Sequence, residues 1–399
     1  MKRVFKPVVF LLLALLAYGG APACFAASTD IARLSKQDGE QALKQNTVLL
    51  NDEIASYDFP SPVVSIAWSP DGRRLAVSYG EDKQVALIDR ATGRTMWTIA
   101  KLASHYSSVC CRLLFSPDGA HLYTASAVTR GSVKRDVSVS ILDTRDGSIA
   151  GAFAYHEPPG GASMALDMAL SHDGKTLYAI PGMTNEVIAF DTHTGAVTNK
   201  FVAPEGVPET GRGFTRGRLV LDEDRGRLWF AHQGTLVGWS LDGKSVAQVQ
   251  AFQLGVTAMA LNKKTGDIVA GGTSEVEQSR FPLSRRVKDT EIRTYSDPAP
   301  ELVRAFDGET ARLKRKYIGP SGGVEGLAVS KDGSLIVAAK SRLVTGEHAR
   351  LLVWDTETGQ FLAEHDCGYA DLGDVLFSPD GQLLAYVEGK RVKVLKITR

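Results

Sequence analysis

Four ionisable residues occupy similar places along this 399-residue chain: Arg112, Asp167 and Asp374 each stand four residues ahead of a recurring turn motif, and Arg218 six ahead of its copy. Two guanidinium and two carboxylate groups brought to one place could grip a polar small molecule. They could equally pair with one another and hold neighbouring strands in register. His105, His156 and His365 fall in segments expected to connect repeats. Neutral imidazole can ligate a metal or move protons near neutral pH, but no His-x-His or His-x-x-x-His spacing joins these three, so packing and hydrogen bonding are the plainer expectation. Cys110 and Cys111 directly precede Arg112, and Cys367 follows His365 by two residues. A vicinal disulfide would need a strained ring, so free buried thiols are expected, with pairing to Cys367 as the alternative.

A second set of residues carries charge rather than chemistry. Three segments expected to be long loops are Ala127–Asp136, Thr273–Leu302 and Lys340–Arg350, and all are rich in cations. They hold Arg130, Lys134 and Arg135, then Arg280, Arg285, Arg286 and Lys288, then Lys340, Arg342 and Arg350. Acidic residues intervene, so the bias is partial. It points to an anionic ligand or partner, or else to an ordinary solvated loop surface.

These residues are positioned by a repeat. Ser69-Pro70-Asp71-Gly72 recurs as Ser116–Gly119, Ser171–Gly174, Asp224–Gly226, Lys264–Gly266, Ser330–Gly333 and Ser378–Gly381, seven copies in all. Each copy lies between two short apolar runs, the pattern of a hairpin whose Asp-Gly turn supplies positive φ. The first run of each pair is apolar at successive positions, so it is buried on both faces. A second motif follows six of the copies: a strand, most often ending in Asp, then a turn closed by Gly93, Gly147, Gly195, Gly243, Gly308 or Gly359. Six units of four strands result, and a seventh, ending in Val392–Ile397, lacks its fourth. A strand drawn from Thr47–Phe59 would complete it and close a ring, protecting edges that an open array would expose. The expected fold is therefore an all-β, seven-bladed propeller of four-stranded antiparallel blades, closed by an N-terminal strand.

The strings Trp68–Gly72, Phe115–Gly119, Phe377–Gly381 and Val353-Trp354-Asp355-Thr356-Glu357-Thr358-Gly359 resemble the WD40 and YVTN-type β-propeller repeats over residues 47–399. Only one Trp-Asp occurs and no Gly-His opens a blade, so the bacterial YVTN and amine-dehydrogenase-like propellers are the nearer likeness. The resemblance implies a fold; this architecture hosts many activities. An enzyme of the lactonase-like or amine-dehydrogenase-like kind, with its site at the channel mouth, is the alternative to a non-catalytic binding scaffold.

Composition narrows the rest. Hydrophobic residues make up 44% and charged residues 23%, enough for a packed core. Lys+Arg 46 against Asp+Glu 45 leaves a formal charge of +1, which argues against a nucleic-acid partner. Lys2, Arg3 and Lys6 precede the apolar run Val8–Ala17, and small residues follow, the pattern of a cleaved signal peptide over residues 1–26. The run is too short to be a comfortable bilayer anchor, and Ala21-Pro22-Ala23-Cys24 fits a lipobox only partly. Residues 27–46 are a polar lead-in. The expectation is a periplasmic or secreted, monomeric ring that meets a protein or polymer partner in the cell envelope. No cofactor, metal, nucleophile elbow or phosphate loop is expected.

Overall fold

The computed structural model of the chain describes residues 48–80, 84–99, 112–130, 134–156, 165–181, 185–204, 217–252, 255–272, 301–319, 323–341 and 348–398. All lie in the compact unit Val48–Arg399.

The first strand, β1 (Leu49–Asp58), belongs to the last blade. Blade one is β2 (Val63–Trp68), β3 (Arg74–Tyr79), β4 (Gln84–Asp89) and β5 (Thr95–Ile99). Blade two is β6 (Leu113–Phe115), β7 (His121–Arg130), β8 (Lys134–Asp143) and β9 (Ile149–His156). Blade three is β10 (Ala165–Leu170), β11 (Thr176–Pro181), β12 (Glu186–Asp191) and β13 (Val197–Val202). Blade four is β14 (Arg218–Asp222), β15 (Arg227–His232), β16 (Thr235–Ser240) and β17 (Ser245–Gln250). Blade five is β18 (Val256–Asn262), β19 (Asp267–Gly272), β20 (Glu301–Phe306) and β21 (Leu313–Ile318). Blade six is β22 (Val324–Val329), β23 (Leu335–Lys340), β24 (Arg350–Asp355) and β25 (Phe361–Asp366). Blade seven is β26 (Leu372–Phe377), β27 (Leu383–Glu388) and β28 (Arg391–Thr398), with β1 antiparallel to β28 on the outside.

Each innermost strand touches the next, from β2 round to β26, and β26 touches β2. The ring is closed, and the early chain supplies the strand that blade seven lacks. Strand alternation sends successive side chains to opposite faces of a blade, so the core divides into seven clusters, one between each pair of adjacent blades. Between blades three and four, for example, Tyr178 and Phe201 meet Leu219, Phe230 and Trp239. Both faces of each blade are consumed in this way, which is why the inner strands read as unbroken apolar runs.

The turn motif has a hydrogen-bond logic. The Ser69 hydroxyl accepts from Arg74 N at 2.9 Å, while the Asp71 carboxylate accepts from Arg73 N at 3.0 Å and from the Ser69 hydroxyl. The same set recurs at Ser116/Asp118, Ser171/Asp173, Ser330/Asp332 and Ser378/Asp380. All seven closing glycines take positive φ, between 62° and 77°. In the second motif the structure corrects one position: Gly308 is not the left-handed residue of its turn. Ala311 takes that role at φ 57°, because the Asp307 carboxylate accepts from Thr310 N and Oγ1 and so fixes where the turn closes.

A four-stranded meander places the first-to-second and third-to-fourth turns at one end of the ring. The second-to-third links and the blade-to-blade connections lie at the other. On that second face the segment 127–136 proves not to be a loop. β7 and β8 pair without interruption from His121↔Asp143 to Arg130↔Lys134. Each has 10 residues where β3 and β4 have 6, so the hairpin runs about 13 Å further, at about 3.3 Å per residue.

Candidate functional site

The axis of the ring is lined at the places expected from sequence, and backbone irregularities fall at or beside them. Register shifts fall between Val63 and Ser65, Ala165 and Met168, Val256 and Ala258, Val324 and Gly326, and Leu372 and Val375. A bulge turns one side chain out of the ladder and frees backbone groups. Here the shifts pass over Asp167 and Asp374 and fall beside Ser65, Ala258 and Gly326, which keep their ladder partners.

Three of the four charged residues join directly. Arg112 Nε lies 2.7 Å from Asp167 Oδ1, and its NH1 nitrogen lies 2.8 Å from Asp374 Oδ1. Arg112 thus spans from blade two to blade three on one side and past blade one to blade seven on the other. Asp374 Oδ2 accepts from the Ser65 hydroxyl at 2.8 Å and from Ile66 N at 3.3 Å. Asp167 accepts from Met168 N at 2.9 Å and from Leu219 N of blade four at 3.0 Å. Arg218 turns elsewhere, its Nε donating to the Thr257 carbonyl of blade five at 2.6 Å. The Thr257 hydroxyl in turn donates to the Val324 carbonyl of blade six. Every blade is therefore tied into one polar belt. Gly326 completes it by absence of a side chain, since a Cβ there would strike the Gly373 carbonyl oxygen.

Electrostatics hold Arg112 and Asp374 in their ionised forms. Burial opposes charge on Arg112, but Asp167 and Asp374 outweigh it and keep the guanidinium protonated well beyond the usual range. Burial likewise opposes charge on Asp374, and Arg112, then Arg218, overcome it and hold that carboxyl below its ordinary value. The side chains of Asp167 and Asp374 are 2% and 11% exposed, and Arg112 retains 24%. A cavity of about 20 Å³, lined by Arg112, Arg218, Glu325 and Asp374 among others, remains beside them. That is room for about one water.

Among the described histidine side chains, His365 does not join this group. His365 lies within β25, the outermost strand of blade six, and not in a connection. His156 closes β9, and His105 lies outside the described residues, as do Cys110 and Cys111. Cys367 is a free, buried thiol, and burial pushes its pKa up to about 12. Of the cationic residues, Arg130, Lys134 and Arg135 sit at the end of the β7–β8 hairpin. Arg285, Arg286 and Lys288 lie outside the described residues, with Arg280 and Arg342. Two others are not loop residues: Lys340 ends β23 at 3% exposure, and Arg350 opens β24, paired with Glu364 at 2.8 Å. Among the described residues no group of three or more His, Cys, Asp or Glu side chains could hold a metal, and no helix is long and apolar enough to cross a membrane.

Two strings spell enzyme motifs that pattern reading passed over. Gly238-Trp239-Ser240-Leu241-Asp242-Gly243-Lys244-Ser245 has the spacing of a phosphate loop. It runs from β16 through a tight turn into β17, with no helix N-terminus to meet a phosphate, and Lys244 pairs with Asp242 at 2.9 Å. Gly319-Pro320-Ser321-Gly322-Gly323 has the spacing of a nucleophile elbow. It joins β21 to β22, whereas an elbow joins a strand to a helix.

Comparison with protein families places the WD domain, G-beta repeat, on residues 52–89 and 96–134. With seven blades in a ring, these matches support a WD40-type β-propeller. No curated protein matches the chain. The first matched repeat of this WD40-type ring begins in β1 and ends with β4. A sequence repeat thus takes the outer strand of one blade and three strands of the next. That offset is what sends the first strand of the chain to blade seven.

Proposed function

We propose that this chain is an exported, non-catalytic propeller of the bacterial YVTN-like kind, which binds a protein or polymer partner of anionic character in the cell envelope through its long-loop face. The observation that carries the reading is the β7–β8 hairpin, whose ladder extends to Arg130↔Lys134 with Arg135 beside it. Three cationic residues thereby fall at the end of a continuous two-stranded ladder. Charge pairing at the axis supports the same reading. Arg112 is committed there to two carboxylates, Asp167 and Asp374. This weighs against the alternative of an enzyme site at the channel mouth among Arg112, Asp167, Arg218 and Asp374.

Polyaspartate serves as the anionic probe. The protein is expected to bind it with an affinity that falls as salt rises. Replacing Arg130, Lys134 and Arg135 together by alanine is expected to weaken binding about tenfold, from roughly 0.5 kcal/mol per exposed charge. Unchanged affinity in the triple variant refutes the hairpin as the docking element.

Export rests on the basic, apolar and small-residue segments of residues 1–26. In a bacterial host the full chain is expected in the periplasmic fraction with its N-terminus at or near Ala27. A chain beginning at Ala27 after an initiator methionine is expected to stay in the cytoplasm. Recovery of the full-length, unprocessed chain in the cytoplasm refutes export.

A further inference from the structure

The seam between blades six and seven holds a second set of ionisable groups, away from the axis. His365 stands in β25, opposite Leu351, and its Nε2 lies 3.4 Å from the hydroxyl oxygen of Tyr386 in β27. Tyr386 is fully buried. Its hydroxyl also bonds the Cys367 side chain, whose sulfur lies 3.7 Å from the His365 carbonyl oxygen. A buried phenol needs an acceptor for its proton. Neutral imidazole with Nε2 unprotonated can accept it beside the Cys367 sulfur; imidazolium carries hydrogens on both nitrogens and cannot accept.

The closure strand is built into the same place. Lys393 of β28 lies 3.1 Å from Glu388 of β27 and 3.3 Å from Glu53 of β1. Val48 and Leu50, at the start of β1, pack into the same core as Cys367 and Tyr386. The charged groups acting on His365 are Lys393, Glu388, Asp366 and Glu53, drawn from β28, β27, β25 itself and β1. Burial first, and Lys393 second, hold the imidazole below its ordinary pKa, against the three carboxylates. A histidine depressed in the folded state stabilises fully above its unfolded value, and that contribution is lost as pH falls below it.

We infer that His365 is an acid-sensitive catch on ring closure: neutral, it accepts the Tyr386 proton and keeps β1 seated; protonated, it loosens the seam and releases β1. Protonation removes one acceptor of a buried hydroxyl, leaving it the Cys367 sulfur, and sets a second cation near Lys393, whose bond to Glu53 ties β1 to the blade. The device is local, because six of the seven blades take no strand from the N-terminal segment.

Amide hydrogen exchange of the full chain, corrected for intrinsic rates and followed from pH 8 to pH 5, tests this. Protection of residues 49–58 is expected to fall below about pH 6.5, by no more than about tenfold per pH unit, the limit for one linked proton. Blades three to five are expected to stay protected. His365→Gln, which keeps an acceptor and cannot ionise, is expected to abolish the dependence, whereas His172→Gln on the surface leaves it. Constant protection of β1, simultaneous loss in all blades, or a wild-type dependence in H365Q would each overturn the catch. Should H365Q fail to fold, exchange of the imidazole C2 hydrogen in the unaltered chain reads the ionisation of His365 directly. A midpoint below that of ordinary histidine, coincident with β1 release, supports the inference. A midpoint at or above it overturns the inference.

Discussion

Arg112→Ala is expected to lower the unfolding free energy by about 3 kcal/mol, at the lower end of the 3–5 kcal/mol found when one partner of a buried ion pair is removed. The lower end applies because Arg112 keeps 24% of its side chain exposed. The cost arises mostly from what is left behind. Asp167 and Asp374 would remain buried as carboxylates, their backbone donors intact but their counter-ion gone. Urea unfolding measures the effect as a shift of the midpoint.

The pH dependence gives the sign. Asp374 is held below its ordinary value in the folded wild type, so its contribution is present above an aspartate's ordinary pKa of about 4 and is lost as pH falls through the depressed value. Without Arg112 the strongest influence lowering it is gone, and Arg218, Ser65 and Ile66 N alone oppose burial. The gap between wild type and variant is therefore expected to be widest near neutrality and to narrow below about pH 4. Replacing Arg112, Asp167 and Asp374 together by apolar residues of similar volume is expected to recover much of the loss, since a buried ionic cluster is often no better than a packed apolar one. A neutral-pH loss below about 0.5 kcal/mol for R112A, the scale of an exposed pair, would mean that the belt is solvated and the axis open.

The ring was legible because its information is local. Ser-x-Asp-Gly encodes its own turn through bonds spanning two to five residues, as at Ser69, Asp71 and Arg74. Blade count, the missing outer strand and the axial positions follow from counting such turns. What the sequence hid depends on contacts distant along the chain. The four axial charges stood out by their offset, yet nothing in the offset says that Arg112 reaches past blade one to Asp374, 262 residues away. The tie between His365 and Tyr386 crosses two blades in the same way.

The β7–β8 hairpin was obscured for a different reason. Apolar alternation reports burial, and it stops at the charged residues Arg130 and Lys134–Asp136. The ladder continues because backbone groups pair whatever the side chains are. Gly308 drew attention as a turn residue by its type, whereas the carboxylate of Asp307 decides which residue closes the turn, and that residue is Ala311.

The second large effect concerns closure. β1 pairs with β28 from Leu49↔Thr398 to Asp58↔Arg391, and it carries Val48 and Leu50 into the core between blades six and seven. A chain without it would present β28 as a bare edge and leave those core positions unfilled. Loss of two buried apolar side chains alone costs roughly 2–5 kcal/mol each, against a total stability of about 5–15 kcal/mol. Chains beginning at Ala27 and at Pro60, compared by urea unfolding, measure the consequence most directly. Both chains are expected to unfold cooperatively, the shorter one at a markedly lower urea midpoint, and a peptide of residues 48–59 added in trans is expected to raise that midpoint as its concentration rises. Equal midpoints for the two chains, with no response to the peptide, would contradict closure of the ring by its N-terminal strand.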